Sequence, residues 1–174
     1  MSEPNMHSSK QHHDFAKEKG AIKLAIVTVS DSRTLESDTN GHFLKEAIAA
    51  AGHEVSAYHL IKDDTQEVHR VLMAEGQSNA DIVLFNGGTG ISKRDNTFDV
   101  IAENLEKTLP GFGEIFRMLS FEQIGAGAML SRATAGTFQG KVVIATPGSP
   151  AAVRLAWEKL IAPEIQHLAW EIGR

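Results

Sequence analysis

The sequence predicts an α/β fold in three layers, a mostly parallel sheet with one antiparallel strand and helices on both faces. Three observations point there. The runs "IKLAIVTVS" and "ADIVLFN" are apolar without alternation, as strands covered on both faces are. Strand-like and helix-like stretches alternate through the first half of the chain, which implies right-handed crossovers between parallel strands. Later, "AMLSRATAGTFQGKVVIATPG" reads as two strands joined by a short turn at residues 138–140, so one of them runs antiparallel.

Taken in order, residues 1–19 are polar and without a period, and read as a mobile tail; His7, His12 and His13 within it are assigned no function. Residues 20–174 form one domain, long enough for a sizeable core. After the first strand, "TNGHFLKEAIAAAG" places Phe43, Leu44, Ala47, Ile48 and Ala51 at helical spacing, with Gly52 as the stop signal. A strand at "EVSAYHLI", a helix at "TQEVHRVLMAE" and the buried strand "ADIVLFN" follow. Helical stretches are expected around 97–106 and 111–121, then the hairpin. "SPAAVRLAWEKLIAPEIQHLAWEI" closes the chain as an amphipathic helix kinked near Pro163.

Composition removes several classes of function. With no cysteine, the chain has no disulfide framework, no thiolate zinc site and no cysteine nucleophile. No apolar run approaches the roughly 18 residues of a membrane span, and the N-terminus lacks a signal-peptide core, so a cytoplasmic protein without a membrane partner is expected. A net charge of -5 and few aromatic residues argue against nucleic acid as partner. A phosphate-bearing small ligand stays open, because backbone N–H groups and a metal ion hold phosphate without many lysines.

In an open α/β sheet, ligands gather beyond the carboxyl ends of the strands. "NGGTG" follows the third strand; Gly87, Gly88, Thr89 and Gly90 serve either as a tight turn or as a loop that lets phosphate oxygens reach backbone N–H groups. Neither a G-x-G-x-x-G fingerprint after the first strand nor a G-K-[ST] loop is present. Ser30 and Asp31 end the first strand, and Asp38 or Thr39 is placed to cap the next helix. Asp63 and Asp64 end the second strand, where one of them is free to cap. Ser131 supplies a hydroxyl within the hairpin segment. "TPGSPAAV" brings Pro147, Gly148 and Ser149 to the start of the last helix, with Ser149 as N-cap and an anion site in the free N–H groups. Two phosphate cradles and several carboxylates on one edge suggest phosphoester chemistry with a hard divalent cation.

Four motifs in order, "GGTGISKRDNTFD", "PGFGEIFRMLSFEQIG", "LSRATAG" and "TPGSPAAV", closely resemble those of the MoaB/MogA family of molybdenum cofactor biosynthesis proteins, nearer to MoaB in the second, and the match runs from about Ile22 to the C-terminus. The resemblance implies adenylylation of molybdopterin by ATP with Mg²⁺, giving adenylyl-molybdopterin and pyrophosphate. It also implies a trimer or a dimer of trimers, and a downstream molybdenum-insertion protein as recipient. By the same resemblance Asp63 and Asp95 are the essential aspartates and candidate Mg²⁺ ligands. Gly87, Gly88, Thr89, Gly90, Arg94, Thr97 and Asp99 belong to the nucleotide and pterin phosphate loop, Ser131 contacts substrate, and Pro147, Gly148 and Ser149 lie near the nucleotide. Asp99 stands where many members have glutamate, and Phe98 where proline is frequent. Arg94 either balances Asp95, touches phosphate or forms a surface ion pair. The presence of Arg94, Asp95 and Thr97 together favours an active enzyme over a silent molybdopterin carrier, or a related domain acting on another nucleotide or pterin. Phe112, Phe116, Met118, Leu119 and Phe121 give the helix at 111–121 more apolar surface than one face buries, in line with an oligomer.

Overall fold

The computed structural model describes residues 20–173, so the tail and its histidines fall outside it. The elements run β1 (Lys23–Val29), α1 (Thr39–Ala50), β2 (Glu54–Ile61), α2 (Thr65–Gly76), β3 (Ile82–Asn86), α3 (Thr97–Asn104), β4 (Lys107–Thr108), α4 (Pro110–Ile124), β5 (Thr134–Phe138), β6 (Lys141–Thr146), α5 (Pro150–Ala156) and α6 (Ala162–Ile172). A 3-10 segment, Gly125–Leu130, follows α4. The strands form a six-stranded sheet in the order β2-β1-β3-β6-β5-β4. β2, β1, β3 and β6 are parallel, and β5 is antiparallel to both β6 and β4.

Both sheet faces are buried, and the two-residue period of the strands sorts their side chains between two cores. Leu24 and Ile26 of β1 face a core completed by Leu44 and Ile48 of α1, Phe116 of α4, Val153 of α5 and Ile165 of α6. Ala25, Val27 and Val29 face the opposite core, built with Val68, Val71 and Leu72 of α2 and Val100 and Ile101 of α3. Every apolar residue of β1 thus has a place in one of the two cores.

Two features depart from the sequence reading in detail. β4 was not foreseen: it is two exposed residues, too short and too polar to show a pattern. It pairs closely with β5 because a side chain at Gly136 would collide with Lys107 O. At Pro163 the expected kink takes the form of a π-helical segment, Trp157–Ile161, in which the Ala162 N–H donates to Trp157 O. The widened turn accommodates a proline that cannot donate to the preceding helix. The hairpin is as expected, with Gln139 at φ 46° and Gly140 at φ 73° forming the mirror-image turn that suits twisted strands. Among the described residues, no helix is long and apolar enough to cross a membrane.

Register places the candidate loops side by side. Thr28, Asn86 and Thr146 lie in one row across β1, β3 and β6, so the loops that follow them leave from the same edge. Because β5 is antiparallel and pairs Thr134 with Ala145, the chain entering it through Ser131 and Arg132 reaches that edge as well.

Candidate active site

At the end of β3, Gly87 and Gly88 take φ of 111° and 67°. A side chain at Gly87 would collide with Val29 O, and one at Gly88 would meet Asp63 Oδ2 at 2.5 Å and collide with Thr97 Oγ1. Glycine is required here by backbone conformation and by close packing. That accounts for both residues before any ligand is considered. Gly90 packs against the Asp95 carboxylate, 2.8 Å from where a Cβ would stand.

Asp63 is held at the end of β2 by this packing. Its Oδ1 accepts the Asn96 N–H (3.1 Å) and the Thr97 hydroxyl (3.2 Å), and Asn96 Nδ2 donates to Asp63 O (3.0 Å). The Asp63 N–H donates to Asp31 Oδ1 (3.1 Å). Burial pushes the Asp63 carboxyl above its ordinary range; the charges of Asp95 and Asp31 push the same way, against the hydrogen bonds from Asn96 and Thr97. Asp95 Oδ2 accepts the Ser92 N–H (2.9 Å). Three carboxylates at the ends of different elements therefore share one field. Asp64 takes the capping role, accepting from the N–H groups of Gln66 and Glu67.

The loop after β6 rests on a buried polar network. Gly148 O accepts from Asn40 Nδ2 (2.8 Å) and Arg33 Nη2 (3.0 Å). Asn40 Nδ2 also reaches Asn86 Oδ1 (2.9 Å), and Arg33 Nη1 reaches Asp38 Oδ1 (3.1 Å). Tyr58 donates to Asp38 Oδ2 at 2.6 Å, and Asp38 is wholly buried. Burial alone would raise the Asp38 carboxyl, but hydrogen bonds from Tyr58 and Thr28 and the Arg33 charge hold it below the usual carboxylate range. Asp38 occupies the N-cap position of α1, yet its carboxylate is turned to Tyr58 and Arg33. Ser149 caps α5 through the Ala152 N–H (3.3 Å), leaving the helix start at the same edge.

A cavity of about 240 Å³ collects Thr89, Gly90, Ser131, Pro147 and Ser149. Its far wall is apolar, from Phe116, Ile124 and Leu130. Ser131 Oγ accepts the Ala133 N–H (3.3 Å), and Ser30 Oγ accepts from the backbone of Ser32 and Arg33. Asp63 and Asp95 lie beside this cavity rather than in its lining. Arg94 is 82% exposed and pairs with Asp31 at 3.5 Å, an exposed ion pair and not a partner for Asp95. Both oxygens of Asp99 are engaged by Arg132, at 2.7 and 3.1 Å, so the shorter side chain makes its contact directly. Phe98 lies under the same guanidinium, 4.5 Å from its ring centre.

Arg132, Arg33, Asn40, Asn86 and Tyr58 escaped the sequence reading. Asn86, a polar residue ending an apolar strand, and Arg132, beside Ser131 in a quoted motif, carried a visible signal; the others pair across distances that spacing does not reveal. On α4, Phe116 is buried and Phe112 and Leu119 pack inward, whereas Met118 and Phe121 are 57% and 60% exposed. Among the described residues, no group of three or more histidines or acidic residues is arranged to hold a metal ion. Asp63 and Asp95 are the carboxylates that could hold Mg²⁺, an ion commonly held by one or two carboxylates together with substrate phosphates. A cation between Asp63, Asp95 and Asp31 would offset the mutual repulsion of these carboxylates.

Comparison with known proteins agrees with this architecture. Residues 25–167 match the model of a family described as a probable molybdopterin binding domain. A molybdenum cofactor biosynthesis protein B from Bacillus cereus is 48% identical over 155 residues, covering 88% of this chain and 92% of that protein. A crystal structure of a molybdenum cofactor biosynthesis protein B superposes with a TM-score of 0.86 at 47% identity, over 88% of this chain and 97% of that one. The tungsten cofactor synthesizing protein MoaB from Pyrococcus furiosus gives a TM-score of 0.80 at 34% identity, over 88% of this chain and 98% of that one. With the motifs, the sheet order and these matches in agreement, the chain belongs to the MoaB/MogA family of molybdenum cofactor biosynthesis proteins.

Proposed function

We propose that this protein transfers the adenylyl group of ATP to the terminal phosphate of molybdopterin. A molybdopterin phosphate oxygen attacks the α-phosphorus of ATP, the bond from that phosphorus to the bridging oxygen breaks, and pyrophosphate leaves. A phosphate monoester, with a second pKa near about 6, is already largely dianionic at neutral pH, so no general base is required. Catalysis then rests on positioning and on charge. The observation that carries the reading is the meeting of Thr89, Gly90, Ser131, Pro147 and Ser149 around one cavity, with Asp63 and Asp95 beside it.

In this reading the N–H groups of Gly88, Thr89 and Gly90 and the α5 start hold phosphate oxygens, Ser131 contacts the pterin substrate, and the apolar wall of Phe116, Ile124 and Leu130 lies against its ring. Asp63 and Asp95 would hold Mg²⁺, which when bound neutralises charge on the phosphates. Incubation of the pure protein with molybdopterin and Mg·ATP should yield adenylyl-molybdopterin and pyrophosphate. Pterin binding without product would favour a carrier, a reading that has one observation of its own: the cavity lining contains no carboxylate.

The functional unit is a homo-oligomer built from trimers. Ile115, Met118, Phe121 and Ile124 expose 45, 57, 60 and 65% of their surface along α4, next to the cavity wall. Light scattering at micromolar concentration should give a multiple of three chains; a monomer mass would end this part of the reading.

A further inference from the structure

Arg132 is fastened to the segment between β3 and α3 at several points. Its backbone N–H donates to Thr89 O (3.0 Å). Its Nε donates to Gly90 O (2.8 Å), and Nη2 to Asp95 O (3.2 Å). The same guanidinium grips both oxygens of Asp99 and lies over the Phe98 ring. It follows Ser131 directly in the chain.

The segment it spans needs such an anchor. Ile91, Ser92, Lys93 and Arg94 are all exposed, and the Ser92 and Asp95 hydrogen bonds are local to the turn. Asn96 ties one end of the turn to Asp63. The Gly90 and Asp95 carbonyls, one on each side of the exposed turn, converge on one guanidinium. A planar fork binds several acceptors in fixed directions, and the Asp99 carboxylate supplies the counter-charge that keeps it there.

We propose that Arg132 is the positioning residue of this site: without touching ligand, it sets Thr89, Gly90 and Asp95 in register with Ser131. The proposal rests on the adenylyl-transfer reading, and deepens it by naming the group that places the Asp95 charge. Lysine at this position would keep a charge but lose the fork, so it should not substitute.

The test compares wild type, R132A, R132K and D99N by single-turnover adenylylation, KM for ATP, molybdopterin binding, and amide hydrogen exchange across residues 90–96. R132A and R132K should turn over about 100-fold more slowly, with much smaller changes in KM and pterin affinity, as misplacement of a reacting group implies. Amides of 90–96 should exchange at least about tenfold faster, the scale of a lost charge-assisted hydrogen bond, while those of β1 and β6 are unchanged. D99N, which keeps the guanidinium, should shift the same quantities in the same direction but less. Added guanidinium should restore part of the R132A rate. Unchanged exchange across 90–96 in folded R132A would overturn the proposal, as would a rate close to wild type. If wild type itself makes no adenylyl-molybdopterin, the adenylyl-transfer reading falls, and the exchange of the 90–96 amides still decides the role of Arg132.

Discussion

The loops after β3 and β6 leave adjacent parallel strands at the same edge, both begin with glycine-containing turns, and Gly148 packs against Gly87. They are held by different means. The β6 loop is short, enters α5 at once through the Ser149 cap, and its Gly148 carbonyl is fixed from below by Asn40 and Arg33 in a buried network. The β3 loop carries an exposed turn, and its ties are charged: Asp63 from the β2 side holds Asn96 at its far end, and Arg132 from the β5 side bridges Gly90 and Asp95 on either side of the turn. Buried networks, once satisfied, rigidify a structure. Long-range charged ties instead place a carboxylate without burying it. The difference teaches two ways of fixing a loop: the β6 side is set by a buried polar network, and the β3 side by charged ties that place a carboxylate.

The comparison breaks most sharply at Asp63. Asn at this position keeps an acceptor for Asn96 and Thr97 but removes a charge that the fold disfavours. The sign follows from the raised folded-state carboxyl. A group that binds its proton more tightly when folded contributes stability below its unfolded pKa and loses it as pH rises through the folded pKa. Asp63→Asn should therefore melt no lower than wild type at neutral pH, and lose its relative advantage in acid below the titration of Asp63. Turnover should meanwhile fall about 100-fold. A lower melting temperature with normal turnover would make Asp63 a structural residue.

Gly88→Ala sharpens the packing side of the comparison. The left-handed backbone costs an ordinary residue roughly 1–2 kcal/mol, and overpacking against Asp63 and Thr97 roughly 1–3 more. A loss of about 3 kcal/mol by chemical denaturation is expected. Ala tolerated at no cost would mean that the loop is freer than the structure shows.

Tyr58→Phe probes the β6 side, and its effect should be the smallest, about 1.5 kcal/mol for a hydrogen bond to a charged group. Because Asp38 is depressed in the folded state, its contribution is present above the unfolded pKa and lost as pH falls through the folded pKa. The gap between variant and wild type in urea melts should therefore narrow in acid. A gap independent of pH would show that Tyr58 acts through packing alone.

Much of this could be read from the chain because it depends on local pattern. β1 and β3 announce themselves by largely apolar runs, and Gln139-Gly140 by its hairpin context. The glycines of the β3 loop were recognisable as a special turn, though whether they serve packing or phosphate was not. Asp63 and Asp95 could be placed at strand ends. Their common field appears only once β2 and β3 flank β1. Arg132 and Asp99 are 33 residues apart, and Arg33 and Gly148 are 115 apart. Such pairs are set by the crossovers, and no periodicity records them. β4 was invisible because its two exposed residues take strand geometry only from pairing with β5.

The central claim is that charge placed by the β3 loop drives turnover, while the cavity between the β3 and β6 loops provides binding. Single-turnover adenylylation by Asp95→Asn, run beside equilibrium molybdopterin binding, tests it most directly. The account predicts a rate about 100-fold below wild type with pterin affinity nearly unchanged. A normal rate in Asp95→Asn would contradict it, and would leave Asp95 as a residue that only shapes the turn.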